Sequence, residues 1–351
     1  MCRETPTAGE VRLAAPRPAP GPAVDPIALA PVDDVSVTVL ADNVFDALLA
    51  DDARTTRARL GSGGRVPAEQ YVDREATPGL VAEHGFAAVV TVRRGAHEHT
   101  LLFDTGVSPD GMATNGRRLD VDPSAFAAVV LSHGHGDHTG GFPGLVRWLG
   151  RHALPLVLHP GAFTPRRLAP PGAPPFVMPT LSRRALEGEG FDLVERRVPS
   201  VLLDGCLLVT GEVDRVTEFE TGMPHHEADV DGAWRPDPWI VDDQALVVNV
   251  RDRGLVVVTG CGHAGSVNIV RHALRLTGVE HLHALLGGLH LTGPGFEPVI
   301  DPTVAALADL APDVVVPAHC TGWRAQMRLA TELPDAFVPG SVGSRYRFAA
   351  A

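Results

Sequence analysis

The stretch Leu131-Ser132-His133-Gly134-His135-Gly136-Asp137-His138-Thr139-Gly140-Gly141 decides how this chain is read. It follows an apolar run of strand character, residues 126–131, and precedes a short helical pattern at residues 145–149, which places it on a strand-to-helix loop. Three imidazoles and a carboxylate within six residues are too many titratable groups to be packing filler, because each needs a partner once buried. A metal satisfies them together. His133 and His135, two apart at an extended strand end, point to the same side and can grip one ion. Asp137 and His138 follow where the chain turns, so they face a second ion beside the first. Gly134 and Gly136 let the loop come close to both.

Outward from this loop, short β-rich runs recur at 35–40, 86–92, 100–103, 156–158, 207–210, 245–250, 255–259, 282–286 and 314–316. Helical patterns separate the later ones, most clearly at 266–276, where Val267, Val270 and Leu274 share one face and Gly278 is a stop signal. Strand after strand early and strand–helix alternation late predict an α/β chain with two sheets sandwiched between helices, four layers in the order αββα. Residues 34–351 form that domain, with insertions near 160–200 and 215–240 that are read as lids, binding loops or plain surface loops. Residues 1–33, crowded with proline and alanine, are predicted to be a disordered tail.

Composition excludes several classes. A formal net charge of −12 disfavours a surface that tracks a phosphate backbone, so a small-molecule substrate is expected and a nucleic acid is not. All 30 basic residues are Arg, which removes Schiff-base and general-base lysines and leaves any anion clamp to Arg. The four cysteines form no CxxC pair, so neither a disulfide framework nor a zinc knuckle is predicted. A reducing cytoplasm is the default location. No apolar run reaches the roughly 20 residues of a membrane span.

His133, His135, Asp137 and His138 form an HxHxDH signature, and on it the chain resembles the metallo-β-lactamase-fold superfamily from about Val35 onward. Leu102-Phe103-Asp104-Thr105-Gly106 is similar to that superfamily's strand-ending Asp-Thr-Gly turn, which implies that Asp104 braces the metal loop. Val316-Pro317-Ala318-His319 is similar to its final His after a late strand. The blocks Glu83-His84-Gly85, Asp242-Asp243-Gln244, Thr259-Gly260-Cys261-Gly262-His263-Ala264-Gly265, Gly287-Gly288-Leu289-His290-Leu291 and His319-Cys320-Thr321-Gly322 narrow the resemblance. They are similar to its dihydropteroate-synthase-like branch, related to dihydropterin ribofuranosylaminobenzene phosphate synthase.

The resemblance implies metal ligation by His133, His135 and a further group at one ion, and by Asp137, His138 and His319 at a second. Thr259-Gly260-Cys261 stands where Thr-Gly-Asp is usual, which leaves the further group open between Cys261 as a thiolate and His263, with His263 favoured. Cys261 is alternatively a small buried residue near the site. His290 ends a strand and is either a pocket residue or a hydrogen-bonded strand-end histidine; His159 is read as the latter, and His97, His99, His225 and His226 as surface residues.

Ser266 and Thr321 are candidates to start helices whose N–H groups would meet an anionic substrate, and Thr321, Arg324 and Arg215 are the candidate substrate-binding residues. The expected chemistry is hydrolysis of a small anionic ester, lactone or phosphoester by a metal-bound hydroxide, with Asp137 orienting the nucleophile. Zinc is the leading metal, one ion or two, with iron and manganese as alternatives. A pterin-condensing transferase and a non-catalytic metal- or ligand-binding module are the other readings.

Overall fold

A computed structural model describes residues 15–21, 25–150 and 153–351. Its two large sheets pack face to face. The first has eight strands, ordered in space Phe191–Glu195, Leu154–Leu158, Phe126–Val130, His97–Phe103, Ala87–Arg94, Asp34–Ala41, Arg345–Ala349 and Thr55–Thr56. The second has six: Ser200–Leu202, Leu207–Val209, Ala245–Val250, Gly254–Thr259, Leu282–Gly288 and Val314–Ala318.

Side-chain alternation along the strands builds three apolar layers from these two sheets. Leu101 and Phe103 point between the sheets, where they meet Val256, Val258 and Leu286, all fully or almost fully buried. Leu102, one residue off in register, points the other way and packs with Met112 and Leu145 under the helices Gly111–Arg118 and Phe142–Leu149. On the far side of the second sheet, Val257 and Leu285 meet Val267 and Val270 of helix Ser266–Thr277, and Leu307 and Leu329 of helices Ile300–Asp309 and Trp323–Glu332. The expected four-layer αββα sandwich is therefore the observed architecture. Burying each such Leu or Val contributes about 1.5–3 kcal/mol, offset in large part by chain ordering.

Toward one end of each sheet neighbouring strands run parallel: Phe126–Val130 beside Leu154–Leu158 in the first, Gly254–Thr259, Leu282–Gly288 and Val314–Ala318 in the second. Their carboxyl ends open onto one edge of the sandwich, where loops carry functional groups in open α/β sheets.

Two expectations change. The segment 25–33 is not a free tail: Ile27 N donates to Leu276 O (2.7 Å), Ala30 N donates to Gly205 O (2.9 Å), Val32 bridges to Val250, and Leu29 and Val32 are buried. Its spaced apolar side chains cover a sheet edge and a helix end, which outweighs the proline content. Residues 1–14 and 22–24, with Cys2, lie outside the described residues, as does His152. The two insertions, read as irregular lids, binding loops or surface loops, instead carry paired strands. Arg166–Leu168 and Phe176–Val177 from the first pair with His226–Val230 and Ala233–Pro236 from the second in a small antiparallel sheet, with His226 opposite Leu168. No helix among the described residues is long and apolar enough to cross a membrane.

Candidate metal centre

The HxHxDH loop leaves strand Phe126–Val130 and turns into the short helix Gly136–Thr139. His133 and His135 project together from its extended part, ring centroids 4.5 Å apart, and His138 lies 4.4 Å from His133. From the second sheet, the turn after Gly254–Thr259 delivers Cys261 and His263, and the end of Val314–Ala318 delivers His319. His263 stands 4.7 Å from His133, and His319 5.0 Å from His138, centroid to centroid.

The hydrogen bonds behind these rings fix which nitrogen is free. Asp104 accepts from Ser132 N (2.7 Å) and Ser132 Oγ (2.7 Å), and its Oδ2 accepts from His138 Nδ1 (2.7 Å). Ser132 Oγ, having donated to Asp104, accepts from His133 Nδ1 (2.9 Å). Asn43 Oδ1 accepts from His319 Nδ1 (3.2 Å), because the Asn43 amide donates to His319 O (3.1 Å). Each ring thus keeps its proton on Nδ1, and the Nε2 atoms of His133, His138 and His319 are buried without any hydrogen-bond partner. Buried ring nitrogens left without a partner are rare and converging ones rarer, so these residues fit a metal.

His135 is set differently. His226 Nδ1 donates to Asp237 O (2.7 Å), so His226 Nε2 accepts from His135 Nε2 (3.0 Å) and His135 Nδ1 is the free atom, 3.1 Å from His263 Nε2. Burial, then the neighbouring imidazoles, hold His133 well below the ordinary histidine range, and burial does the same for His135 and His263, so all three are neutral as ligands must be. Burial opposes ionisation of Asp137, but His138 and His319 overcome it and keep the carboxyl far below the usual range. Asp137 Oδ2 lies 3.3 Å from His319 Nε2 and 3.9 Å from both His138 Nε2 and His84 Nε2. Burial likewise opposes charging His138, yet Asp104 and Asp137 push its pKa up to about 9, so an ion held at His138 Nε2 would displace a proton from it.

The choice between Cys261 and His263 dissolves in three dimensions. Cys261 offers its sulfur in one cluster with His133 and His263 and in another with His138 and His319, each set of ligand atoms lying within 4.8 Å of one another. It is the side chain common to both halves. Burial pushes the Cys261 thiol well up, so it ionises only when a cation shares the site. His290 lines the cavity with its Nδ1 3.3 Å from Cys261 Sγ, and Cys320 Sγ is 3.0 Å from the same sulfur. Asp104, His290 and His319 all adopt positive φ (58°, 46° and 48°), a backbone cost of order 1–3 kcal/mol each that the surrounding contacts must hold in place.

The block Asp242-Asp243-Gln244 is the clamp between the two halves. Asp242 Oδ2 accepts from Gly134 N (3.0 Å), Asp243 Oδ2 from Ala264 N (2.8 Å), and Gln244 Nε2 donates to Leu131 O (2.8 Å). Arg166 from the first insertion makes a two-pronged pair with Asp242, both groups buried. Gly85 brings another backbone in: a Cβ there would press on Asp137 O and Val107 N at 2.7 and 2.8 Å.

The three expected substrate-binding residues do not reach the cavity. Arg215 is buried and spends its guanidinium on the carbonyls of Val213, Trp239 and Ile240. Arg324 is exposed and paired with Glu297 at 2.9 Å. Thr321 Oγ1 donates to Ala318 O (2.7 Å) and accepts from Leu289 N (3.1 Å), bracing two turns. The helix start at Ser266 is not an open anion site. Ser266 is the first residue inside its helix rather than its cap, and the N–H groups of Val267 and Asn268 already donate to the Glu220 carboxylate, both at 2.9 Å. The helix after Thr321 starts at Gly322 without a side-chain cap, and none of its first-turn residues lines the cavity.

Sequence reasoning missed His226, Cys320 and Arg166. His226 was placed on the surface; the alternating burial of its strand, His226–Val230, aims it inward instead. His159 is, as read, a hydrogen-bonded strand-end residue between Glu212 Oε1 and Gly161 N.

The sequence profile of the metallo-beta-lactamase superfamily matches residues 83–273, more than half of the chain. The chain belongs to that superfamily. Among curated proteins it is similar to the 7,8-dihydropterin-6-methyl-4-(beta-D-ribofuranosyl)-aminobenzene-5'-phosphate synthase of Methanocaldococcus jannaschii, 25% identical over 76% of this chain and 90% of that one. An uncharacterised protein of the same organism is 28% identical over 78% of this chain and 96% of its own length. Among solved structures, a metal-dependent hydrolase of the beta-lactamase superfamily superimposes with a TM-score of 0.67 over 90% of this chain and 99% of that one, at 23% identity. This superfamily's fold implies binding of a divalent metal, and the candidate ligand clusters described above are consistent with it.

Proposed function

We propose that the chain is a metal-dependent hydrolase that cleaves an ester, lactone or phosphoester of a small molecule in the reducing cytoplasm. The observation that carries this reading is the convergence of three partnerless Nε2 atoms, those of His133, His138 and His319, around the sulfur of Cys261.

His133, His135 and His263 would hold one ion, Asp137, His138 and His319 a second, and Cys261 would serve both. A thiolate among imidazoles favours zinc over iron or manganese. The chemistry such ions supply is Lewis acidity at the scissile group and activation of water near neutral pH. Asp137, ionised at the cavity floor, orients the attacking water and accepts a hydrogen bond from it. His84, mostly exposed and 3.9 Å from Asp137, is placed to pass a proton to solvent. Asp104, Ser132 and Asn43 keep the ligand rings in the correct tautomer throughout.

Purified protein is assayed on ester, lactone and phosphodiester substrates with metal and with chelator, alongside metal analysis of wild type, His133→Ala and Asp137→Ala. Chelator-sensitive turnover and loss of metal in both variants are expected. Silence on every substrate with metal bound refutes the hydrolase reading, and unchanged metal content in the variants refutes the ligand assignment. The 25% identity to a synthase along nine-tenths of its length keeps a pterin-condensing transferase as the second reading, tested by formation of a pterin adduct from mixed substrates.

A further inference from the structure

We infer that the substrate carries a flexible apolar chain, and that the class cleaved is an acyl ester or acyl lactone; this deepens and rests on the hydrolase reading above. A cavity of about 1070 Å³ opens directly from the ligand cluster, with His135, Asp137, Cys261 and His263 lining its floor. That exceeds what a small polar substrate fills and matches the upper range of pockets for drug-sized ligands.

Away from the floor the walls change character. Phe142 and Val146 face in from helix Phe142–Leu149, and Leu168, Phe176, Met178 and Leu181 from the first insertion. Met223 of the second insertion and Leu186 of helix Arg183–Glu189 complete the arm. Phe176 lines the arm and is 61% exposed, apolar surface left open to solvent. The walls come mainly from the paired insertions, so the protein has extended its polypeptide to build an apolar arm beside a polar floor.

Arg147 is the lone arginine among the lining residues, and it is spent on Asp110 at 2.6 Å. The other polar side chains of that arm, Thr180, Ser182 and Glu189, are exposed and stay in water beside an alkyl chain. The chain has no lysine, the helix start at Ser266 is taken up by Glu220, and no first-turn residue of the helix after Gly322 lines the arm. A phosphate lodged in the arm would be buried without a cation, and a pterin would leave several ring donors and acceptors unpaired there, each at a cost. An alkyl chain leaves nothing unpaired. The carbonyl then sits at the floor and the chain runs into the arm.

The test uses the full chain loaded with zinc and a series of p-nitrophenyl esters from acetyl to octanoyl. Each of the six extra methylenes raises kcat/KM by about three- to fourfold once buried, so octanoyl outruns acetyl by about three to three and a half orders of magnitude. Independently of turnover, the fluorescent fatty acid cis-parinaric acid binds and is displaced by octanoate but not by acetate. Met178→Glu, at a half-exposed wall position, flattens the chain-length series and weakens parinarate binding at least tenfold. A flat series with active acetyl ester and no parinarate binding overturns this inference and leaves the hydrolase reading intact. A higher kcat/KM on bis-p-nitrophenyl phosphate than on octanoyl ester also overturns it. Parinarate binding with no turnover of any ester upholds the apolar arm and overturns the hydrolase reading.

Discussion

Replacing Arg166 by Met tests how the insertions and the metal loop are held to one another. Arg166 is 4% exposed and Asp242 is fully buried; the guanidinium meets both carboxylate oxygens, one at 2.9 Å, and reaches Asp237 at 3.1 Å through Nε. Asp242 in turn accepts from Gly134 N, between His133 and His135. Removing one partner of a buried ion pair leaves the other charge uncompensated, at about 3–5 kcal/mol, whereas replacing both by neutral groups is often nearly neutral. Arg166→Met is therefore expected to lose about 3–5 kcal/mol at pH 7, and Arg166→Met with Asp242→Asn to recover most of it, since Asn keeps an acceptor for Gly134.

The pH dependence carries the same signature. Burial raises the Asp242 carboxyl, but Arg166 overcomes this and holds it well below the usual range. A depressed folded-state pKa contributes stability that is fully present above the unfolded value of about 3.9 and is lost as pH falls through the folded one. Without Arg166 burial is the largest influence left on Asp242, so its carboxyl pKa rises and the variant's deficit narrows between pH 7 and pH 5. Urea midpoints of metal-free wild type, single and double variants at the two pH values measure it. A single-variant deficit below about 1 kcal/mol at pH 7, or a deficit that widens on acidification, refutes the reasoning.

Asp104→Asn loses the acceptor that fixes the His138 and Ser132–His133 hydrogen bonds, so metal affinity drops about 10- to 100-fold in a chelator competition. His226→Ala frees the Nε2 proton of His135 from its acceptor and lets the ring change tautomer; about tenfold weaker metal binding is expected, while the same change at His225, exposed beside it, has no effect. Gly260→Ala would drive a methyl group into Ser132 Oγ and Asp104 Oδ2, and its expected outcome is a loss of several kcal/mol by urea denaturation together with loss of bound metal.

Much of this was legible in the chain itself. A strand-to-helix loop with HxHxDH spacing announces ligands because the residues are local neighbours and the strand period fixes their direction. Alternating apolar runs likewise announced the sheets, and helix 266–277 announced its own stop at Gly278, which adopts the left-handed conformation that glycine accepts. The illegible parts depend on partners far away in sequence. His226 reads as one of two adjacent histidines in an irregular insert until strand pairing with Arg166–Leu168 turns it toward His135, 91 residues earlier. Arg215 reads as a free cation until the carbonyls of Val213, Trp239 and Ile240 surround it.

The sequence by itself determined the superfamily, the two-sheet sandwich and the four candidate ligand residues of the central loop, since each follows from local spacing and the alternation of apolar side chains. The tertiary structure alone decided that Cys261 and His263 enter the site together. It also decided that the paired insertions wall an apolar arm, and that no arginine waits there for an anion. Those outcomes follow from the meeting of two sheet edges and from which hydrogen bonds are already spent, and neither is written in the spacing of one stretch of chain.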